Sequence, residues 1–365
     1  MRIFSTLNDR GKPLSDADIF KAQLYKFYTN LGEKDDFIRR WKELEQVCER
    51  IFKPISGTPM DEVFTRYMYY ERARMGIKSS TTEALRKFYE RNGYELLKRE
   101  ETFDNIVDLA GFWRDIFDQN TERFSDAVLR RLFVFNFAPN SMWTYFLSVY
   151  YMCNRDDEGM LEEESLLTFL DKAMGFIWTY AVTNPGVNSL RTPVFAEMVN
   201  LVEGRVVDFS SFRLDEDVVK TAFRNYIFSN NRPATRSMLA WWAYSDDQQQ
   251  LISSEKTFEI EHIFARARQD KEHSLSDSKS IESLGNKVLL EERINIRASD
   301  YRFEDKKKYY RGYVTAKGKK KPGTEIHELL LLSEWHDFTE ASIKNRYDDI
   351  LGSFISYLRG NDLFL

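Results

Sequence analysis

Three residues, His262, Asn286 and Asn295, have side chains and a spacing that suit hydrolysis of a phosphodiester bond. A histidine can deprotonate water near neutral pH because its unperturbed pKa is about 6.5. The amide oxygen of Asn295 and the carboxylate of Glu261 are hard ligands for a divalent cation, which neutralises charge on the leaving 3′ oxygen. Asn286 is expected mainly to brace the loop through side-chain hydrogen bonds. Each residue alone is typical of a structural position, and only the three together favour a catalytic site.

The segments around these residues predict a strand, a loop, a second strand and a helix. Phe258, Ile260 and His262 alternate with glutamates, which is the period of a strand. The run "KVLL" at 287–290 is short enough for the second strand, and the polar, charged run after it suits a helix. A ββα unit of this order brings the imidazole at the strand end opposite the helix. Because adjacent residues of a regular strand point to opposite faces, Glu261 and His262 face one site only if the backbone turns at His262.

A strongly basic segment follows. From Arg293 to Lys321 there are eleven Lys or Arg residues and three acidic residues, a net charge of +8 in a chain whose formal net charge is −5. A solvated basic face is the common explanation of such a run, but its place directly after a phosphodiester site favours contact with phosphates. Interleaved tyrosines can stack on bases or sugars. The positions expected to contact nucleic acid are Arg293, Arg297, Arg302, Lys306, Lys307, Lys308 and Arg311, and the tyrosines are Tyr301, Tyr309, Tyr310 and Tyr313.

Composition and periodicity predict a mainly α protein. Of the 365 residues, 42% are hydrophobic and 15% aromatic, which excludes wholesale disorder. Apolar residues recur at three- and four-residue steps through much of 34–230, which predicts a multi-helix bundle followed by the ββα unit with flanking helices. The first helix is expected to begin after Ser15, with Asp18 completing an acidic variant of the capping box. The expected domains are residues 1–30, 31–230 and 231–365.

Cysteine content and hydropathy exclude two other classes of protein. The chain has only two cysteines, Cys48 and Cys153, which fit neither a disulfide scaffold nor a zinc cluster. Its longest apolar stretches are shorter or more interrupted than the roughly 20 apolar residues that a membrane-spanning helix needs. The opening residues turn polar too soon for a signal peptide. A cytoplasmic protein without membrane partners is therefore expected.

The stretch "IEHIFAR…LGNKVLLEERINIRASDYRFEDKKKYY" resembles the C-terminal HNH domain (His-Me finger, or ββα-metal fold) of GmrSD-type modification-dependent restriction enzymes. That family has roughly an E-H-I-x-P strand end, a G-N-L-x-L strand, an asparagine, and then a Ser- and Lys-rich segment. The tail is similar as well, with Trp335, Ile343 and Arg346 at the family's W…I…R helix. The spacing from Asn286 to Asn295 is also that of the HNH domain of RNA-guided CRISPR nucleases.

This resemblance implies a role for each residue of the site. His262 is the general base, Glu261 and Asn295 are ligands of Mg²⁺ or Mn²⁺, and Asn286 is the second asparagine. The sequence departs from the family at Ala265, where a proline usually follows H-I-x. Since proline would fix the turn that leaves the strand, its absence puts the orientation of His262 in question.

The opening of the chain resembles another part of the same family. "FSTLNDRGKPLSDADIFKAQLY" is similar to the F-x-x-L-N-x-x-G-x-x-L-x-x-x-D stretch that ends the N-terminal, ParB-like half. The D-G-Q-Q-R motif of that half, implicated in nucleotide hydrolysis, is absent from this sequence. Nucleotide binding is therefore not carried over. The expectation is a fragment or short form, with a separate subunit as a candidate source of the missing half.

Two main functional hypotheses follow. The first is a divalent-metal-dependent DNA endonuclease of a bacterial anti-phage restriction system, acting on DNA that includes modified phage DNA. The alternative is a catalytically degenerate DNA-binding or regulatory protein that retains the HNH fold, which the missing half and Ala265 favour. RNase activity would use the same chemistry and stays open.

Overall fold

The computed structural model describes residues 14–77, 79–186, 188–299 and 302–365. This part of the chain is mainly helical, which confirms the predicted mainly α composition. It divides into two compact units built from interleaved segments. Unit 1 comprises the residues up to Arg123 together with Thr144–Glu162 and Val194–Val207, and unit 2 comprises Phe124–Trp143, Glu163–Pro193 and Asp208–Leu365. The expected domain boundaries at residues 30 and 230 stay a prediction.

Unit 1 contains helices α1 to α5 and most of α7 and α9. Ser15 caps α1 as predicted, since its hydroxyl accepts a hydrogen bond from the Asp18 N–H and the Asp18 carboxylate accepts one from the Ser15 N–H. The core is aromatic, with the Trp41 and Phe103 rings stacked 6.1 Å apart. The helices are α1 Asp16–Leu31, α2 Lys34–Ile51, α3 Pro59–Arg74, α4 Leu85–Tyr89, α5 Glu100–Phe117, α7 Met142–Asn154 and α9 Arg191–Val202.

Unit 2 contains the other helices and two short hairpins. Its helices are α6 Asp126–Phe135, α8 Glu163–Thr183, α10 Glu216–Asn225, α11 Pro233–Tyr244, α12 Arg266–Glu272, α13 Glu292–Ala298, α14 Phe303–Arg311, α15 His327–Leu332 and α16 Glu340–Gly360. Its strands are β1 Phe258–His262, β2 Lys287–Glu291, β3 Gly312–Val314 and β4 Lys320–Pro322. None of the helices in the described ranges is long and apolar enough to cross a membrane.

The core of unit 2 joins segments that are far apart in sequence. Phe258 of β1 packs edge-on against Phe133 and Phe137, with ring centroids 6.0 and 5.8 Å away. Arg131 of α6 holds the Asp171 carboxylate of α8 through two hydrogen bonds of 2.7 and 2.8 Å. The Tyr357 hydroxyl of α16 donates to the same carboxylate. Residues 124–143 and 163–193 therefore support the segment that carries β1.

Strands β1 and β2 form an antiparallel pair, and His262 lies at the end where residues 263–286 connect the two strands. Phe258 pairs with Glu291 and His262 pairs with Lys287, so β2 begins beside His262 and ends beside Phe258. Helix α13 begins directly after β2. The two predicted strands and the helix after them are thus present, but the connection predicted as a loop contains helix α12.

The start of β2 is pressed against helix α16. A Cβ atom added at Gly285 would lie 2.0 Å from the Ile343 carbonyl oxygen, so only glycine allows this approach. The buried Arg346 guanidinium donates to the carbonyl oxygens of Leu284, Gly285 and Lys287 and also pairs with the Glu328 carboxylate. Helix α16 therefore fixes the backbone on which Asn286 and the partner strand of His262 are carried.

Candidate active site

His262 lies at the end of β1 with its side chain only 12% exposed. The ring nitrogen Nε2 is buried and makes no hydrogen bond with any residue in the described ranges. The Glu282 Oε1 lies 3.7 Å from it. A buried polar atom without a partner costs free energy, so such positions are typical of sites that meet a ligand or a substrate.

The surroundings of His262 keep its imidazole neutral. Burial is the main cause of a pKa lowered to about 4, and the positive charges of Lys287, Arg266 and Lys306 lower it further, while Glu282 opposes them. The ring therefore carries no positive charge at neutral pH and keeps a lone pair for a proton. This is the protonation state that a general base needs.

Glu282 and Lys287 belong to the site although sequence reasoning did not select them. The Lys287 ammonium is buried and donates to the Glu282 Oε2 at 2.6 Å. Arg266 also contacts the Glu282 Oε1, which is the oxygen that faces His262. Lys287 is the cross-strand partner of His262, so a correct prediction of the strand register would have identified Lys287 as a neighbour of the histidine. Nothing in the sequence marked Glu282, which lies in the loop between the strands.

Asn286 is fully buried and makes the bracing hydrogen bonds expected of it. Its Oδ1 accepts from the Phe264 N–H at 2.7 Å, and its Nδ2 donates to the carbonyl oxygens of Phe264 and Ile281 at 3.1 Å each. These bonds join the segment after β1 to the segment before β2. Asn286 thereby sets the course of the chain just beyond His262.

The backbone after His262 takes the course that a proline would impose. Ala265 has a φ of −69° and stands directly before helix α12. A proline ring holds φ near −65°, so the local conformation matches the one expected from the family pattern. The tertiary hydrogen bonds of Asn286 supply part of the constraint that the missing proline would give.

Glu261 faces away from the surroundings of His262. Its Oε1 accepts from the Lys306 ammonium at 2.8 Å and from the Tyr310 hydroxyl at 2.7 Å, and both Glu261 and Lys306 are buried. The His262 imidazole lies beside Glu282, Lys287 and Arg266, whereas Lys306 donates to the His262 carbonyl oxygen. Because the strand stays regular through His262, the alternation of side chains is kept and the backbone does not turn there. The structure does not bring the Glu261 carboxylate and the His262 imidazole together.

Asn295 lies in the middle of α13 and is half-buried. Its side chain makes no hydrogen bond with any residue that the structure describes, so its amide oxygen is available as a ligand. The described residues contain no group of three or more His, Cys, Asp and Glu side chains that could hold a metal ion. Asn295 fits the role of a metal ligand, whereas the charge of Glu261 is already neutralised by Lys306.

The basic segment divides into paired and unpaired cations. Lys306 is only 1% exposed and is bound to Glu261, so it does not lie on the surface. The Lys307 ammonium donates to the Trp335 carbonyl, and Arg302 and Arg311 pair with Glu272 and Glu334. Arg293 and Lys308 are exposed and form no ion pair with any described residue. Tyr301 lies outside the described residues.

Arg297 is partly paired, because only one of its terminal guanidinium nitrogens has a hydrogen-bond partner among the described residues. Its Nη2 donates to the Pro322 carbonyl oxygen, and its Nη1 is buried without a hydrogen-bond partner among the described residues. Arg293, Arg297 and Lys321 line a cleft of about 640 Å³, whose lining also includes the carboxylates of Glu255, Glu291, Glu292 and Glu325. Two of the expected DNA-contacting residues therefore share a concave surface at the start of α13.

Residues 214–352 match the family model of the C-terminal domain of GmrSD restriction endonucleases. This segment contains both strands of the β1–β2 hairpin, α13 and the basic segment, and the match confirms the GmrSD-type resemblance. It covers less than half of the chain, and the ParB-like resemblance of the opening is outside it. Residues 1–13 of that opening also lie outside the described residues. No curated protein matches the chain.

Proposed function

We propose that this protein is a divalent-metal-dependent DNA endonuclease in which an HNH site centred on His262 hydrolyses phosphodiester bonds. The observation that carries the proposal is a buried, neutral imidazole whose Nε2 has no hydrogen-bond partner among the described residues, placed at a strand end inside the segment that matches the GmrSD C-terminal domain. Restriction of modified phage DNA, together with a partner that carries a ParB-like half, belongs to the same proposal.

In the proposed reaction His262 takes a proton from the water that attacks the phosphorus. Glu282 faces the Nε2 side of the ring at 3.7 Å, and Asn286 holds the chain that follows His262. These contacts limit the positions open to the imidazole, so that the base is held in place before substrate binds. The positive charges of Arg266 and Lys287 stand close by and favour an anionic substrate.

The expected cofactor is Mg²⁺ or Mn²⁺, which when bound would neutralise charge on the leaving oxygen. Asn295 is the residue that fits as a ligand. Glu261 fits only if its carboxylate gives up its pairing with Lys306. The requirement for a divalent metal ion therefore has to be tested separately from the role of His262.

Plasmid cleavage tests the proposal. Wild type should nick or linearise supercoiled DNA with Mg²⁺ and lose this activity in EDTA, and His262→Ala should abolish it without unfolding the chain. His336→Ala is the matched control because His336 is exposed and belongs to the same matched segment. Plain and glucosyl-hydroxymethylated phage DNA are compared to establish the substrate. Cleavage that survives His262→Ala, or that runs fully in EDTA, would contradict the mechanism.

A catalytically degenerate DNA-binding or regulatory protein is the second candidate. The buried Glu261–Lys306 pair favours it, because this pair neutralises an expected metal ligand. A Mn²⁺ titration separates the two candidates. Metal binding that is lost in Asn295→Ala supports the enzyme, whereas DNA binding that is independent of metal and unchanged in this variant supports the alternative. An RNA substrate in the cleavage assay tests RNase activity.

A further inference from the structure

The second hairpin of unit 2 is a short, exposed ribbon. In β3 and β4, Gly312 pairs with Pro322, Tyr313 with Lys321 and Val314 with Lys320. The connecting turn is closed by a backbone hydrogen bond from the Thr315 N–H to the Lys319 carbonyl oxygen. We call residues 312–322 the basic hairpin.

The base of the basic hairpin is fixed by close backbone contacts. Gly312 has a φ of +81°, and a Cβ atom there would lie 2.6 Å from the Gly323 nitrogen. A Cβ atom at Gly323 would lie 2.3 Å from the Tyr310 carbonyl oxygen. The Arg297 side chain donates to the Pro322 carbonyl oxygen and lies over the Tyr313 ring, 6.0 Å from its centroid. The hairpin is therefore tied to α13, the helix that carries Asn295.

The lysines of the basic hairpin have no counter-charges among the residues that the structure describes. Lys317, Lys319 and Lys320 are exposed, and with the half-buried Lys321 they form no ion pair with any residue of the described ranges. This distinguishes them from Arg302, Lys306, Lys307 and Arg311, which are bound to carboxylates or carbonyl groups. Clustered like charges repel each other, and an anionic partner relieves that repulsion.

We propose that the basic hairpin binds double-stranded DNA by entering the major groove, a proposal that rests on the proposed function. The major groove is about 12 Å wide and admits a two-stranded β-ribbon. Lys320 and Val314 share one face of the hairpin, and Lys321 and Tyr313 share the other, where Arg297 lies over the Tyr313 ring. The face with Lys320 and the turn with Lys317 and Lys319 are the exposed parts that can meet the phosphates. Val314 is 66% exposed and offers an apolar contact of the kind that thymine methyl groups accept.

The salt dependence of DNA binding tests this proposal. The triple variant Lys317→Gln, Lys319→Gln, Lys320→Gln is compared with Lys26→Gln, Lys34→Gln, Lys42→Gln, which removes the same charge from exposed positions of unit 1. Both sets are made in the His262→Ala background, and affinity for a labelled duplex is measured without metal over a range of salt concentrations. Each phosphate contact contributes about 0.9 to the slope of log K against log salt, so the hairpin variant should lower that slope by about 2.7. The control variant should leave the slope unchanged.

The outcomes separate this proposal from the proposed function. Equal slopes for the hairpin variant and the parent protein overturn the role of the hairpin, even where His262-dependent cleavage is observed. A slope reduction of the same size in the control variant also overturns it, because the effect would then be one of net charge. A double-stranded RNA competitor that displaces the duplex at equal concentration assigns the hairpin to RNA instead. Failure of the proposed function would appear separately in the cleavage assay, either as no cleavage by wild type or as cleavage that survives His262→Ala.

Discussion

At the scale of the residue, the environment of His262 predicts how stability depends on pH. Its pKa is about 4 in the folded protein and about 6.5 in the unfolded chain, so the unfolded chain binds more protons between these values. The stability that this group contributes is complete above pH 6.5 and is lost as the pH falls towards 4. The melting temperature should therefore drop more steeply from pH 7 to pH 5 in wild type than in His262→Gln. Parallel pH profiles would contradict the burial of a neutral imidazole.

The two asparagines of the site should differ sharply in their effect on folding. Asn286→Ala removes three hydrogen bonds to buried backbone groups, which should cost on the order of 3 kcal/mol in the free energy of unfolding. Asn295→Ala removes no hydrogen bond to a described residue and should change that free energy by less than about 0.5 kcal/mol. Urea denaturation measures both values. A large loss of stability in Asn295→Ala would show that this residue has a structural role.

Sequence reasoning at this scale depended on what each residue type can do. It selected His262 as the candidate base and expected Asn286 to brace the loop, because few residue types suit these tasks. It did not find Glu282, since a glutamate in a polar loop carries no signal of the fold that brings it to the histidine. It also could not foresee that Lys306, expected on a DNA-binding surface, would be buried against Glu261. That contact depends on where α14 lies on β1, which no local pattern encodes.

At the scale of the element, Gly285 should be the most sensitive position in the contact between α16 and the turn before β2. An alanine there would place its Cβ atom 2.0 Å from the Ile343 carbonyl oxygen, and the backbone would have to move, so Gly285→Ala should cost about 3 kcal/mol or more. Gly352→Ala in α16 is the matched control, because a Cβ atom at Gly352 meets nothing within 4 Å. It should stabilise the helix by up to about 1 kcal/mol. Thermal unfolding of the two variants should therefore shift in opposite directions.

The elements themselves were predicted well where periodicity or capping was strong. Ser15 and Asp18 begin α1 as expected, and the alternation at 258–262 and the short run at 287–290 both form strands. Gly285 carried no prediction of its own, and the structure gives the reason why a glycine is required there. A glycine in a turn pattern does not reveal that a distant helix packs on it.

At the scale of the whole molecule, the segment matched to the GmrSD family should not fold by itself. Unit 2 includes residues 124–143 and 163–193, whose Phe133, Phe137 and Asp171 contact β1 and α16. A fragment of residues 208–365 lacks these partners and should show no cooperative thermal transition by circular dichroism, while the full chain does. A cooperative transition in residues 231–365 alone would instead support the expected domain boundary at 230. The sequence could not show the interleaving, because the apolar pattern of an amphipathic helix does not indicate which other helix or strand it packs against.

The interleaving also has a consequence for the nascent chain. Unit 1 lacks its last segment until Val207 has left the ribosome, and by then α6 and α8 of unit 2 have already emerged. The apolar faces of these helices, which include Phe133 and Trp178, stay exposed until α11 and β1 have been synthesised and can cover them. Nascent chains that end between residues 140 and 250 should therefore be the ones that trigger factor or another holding chaperone binds most strongly.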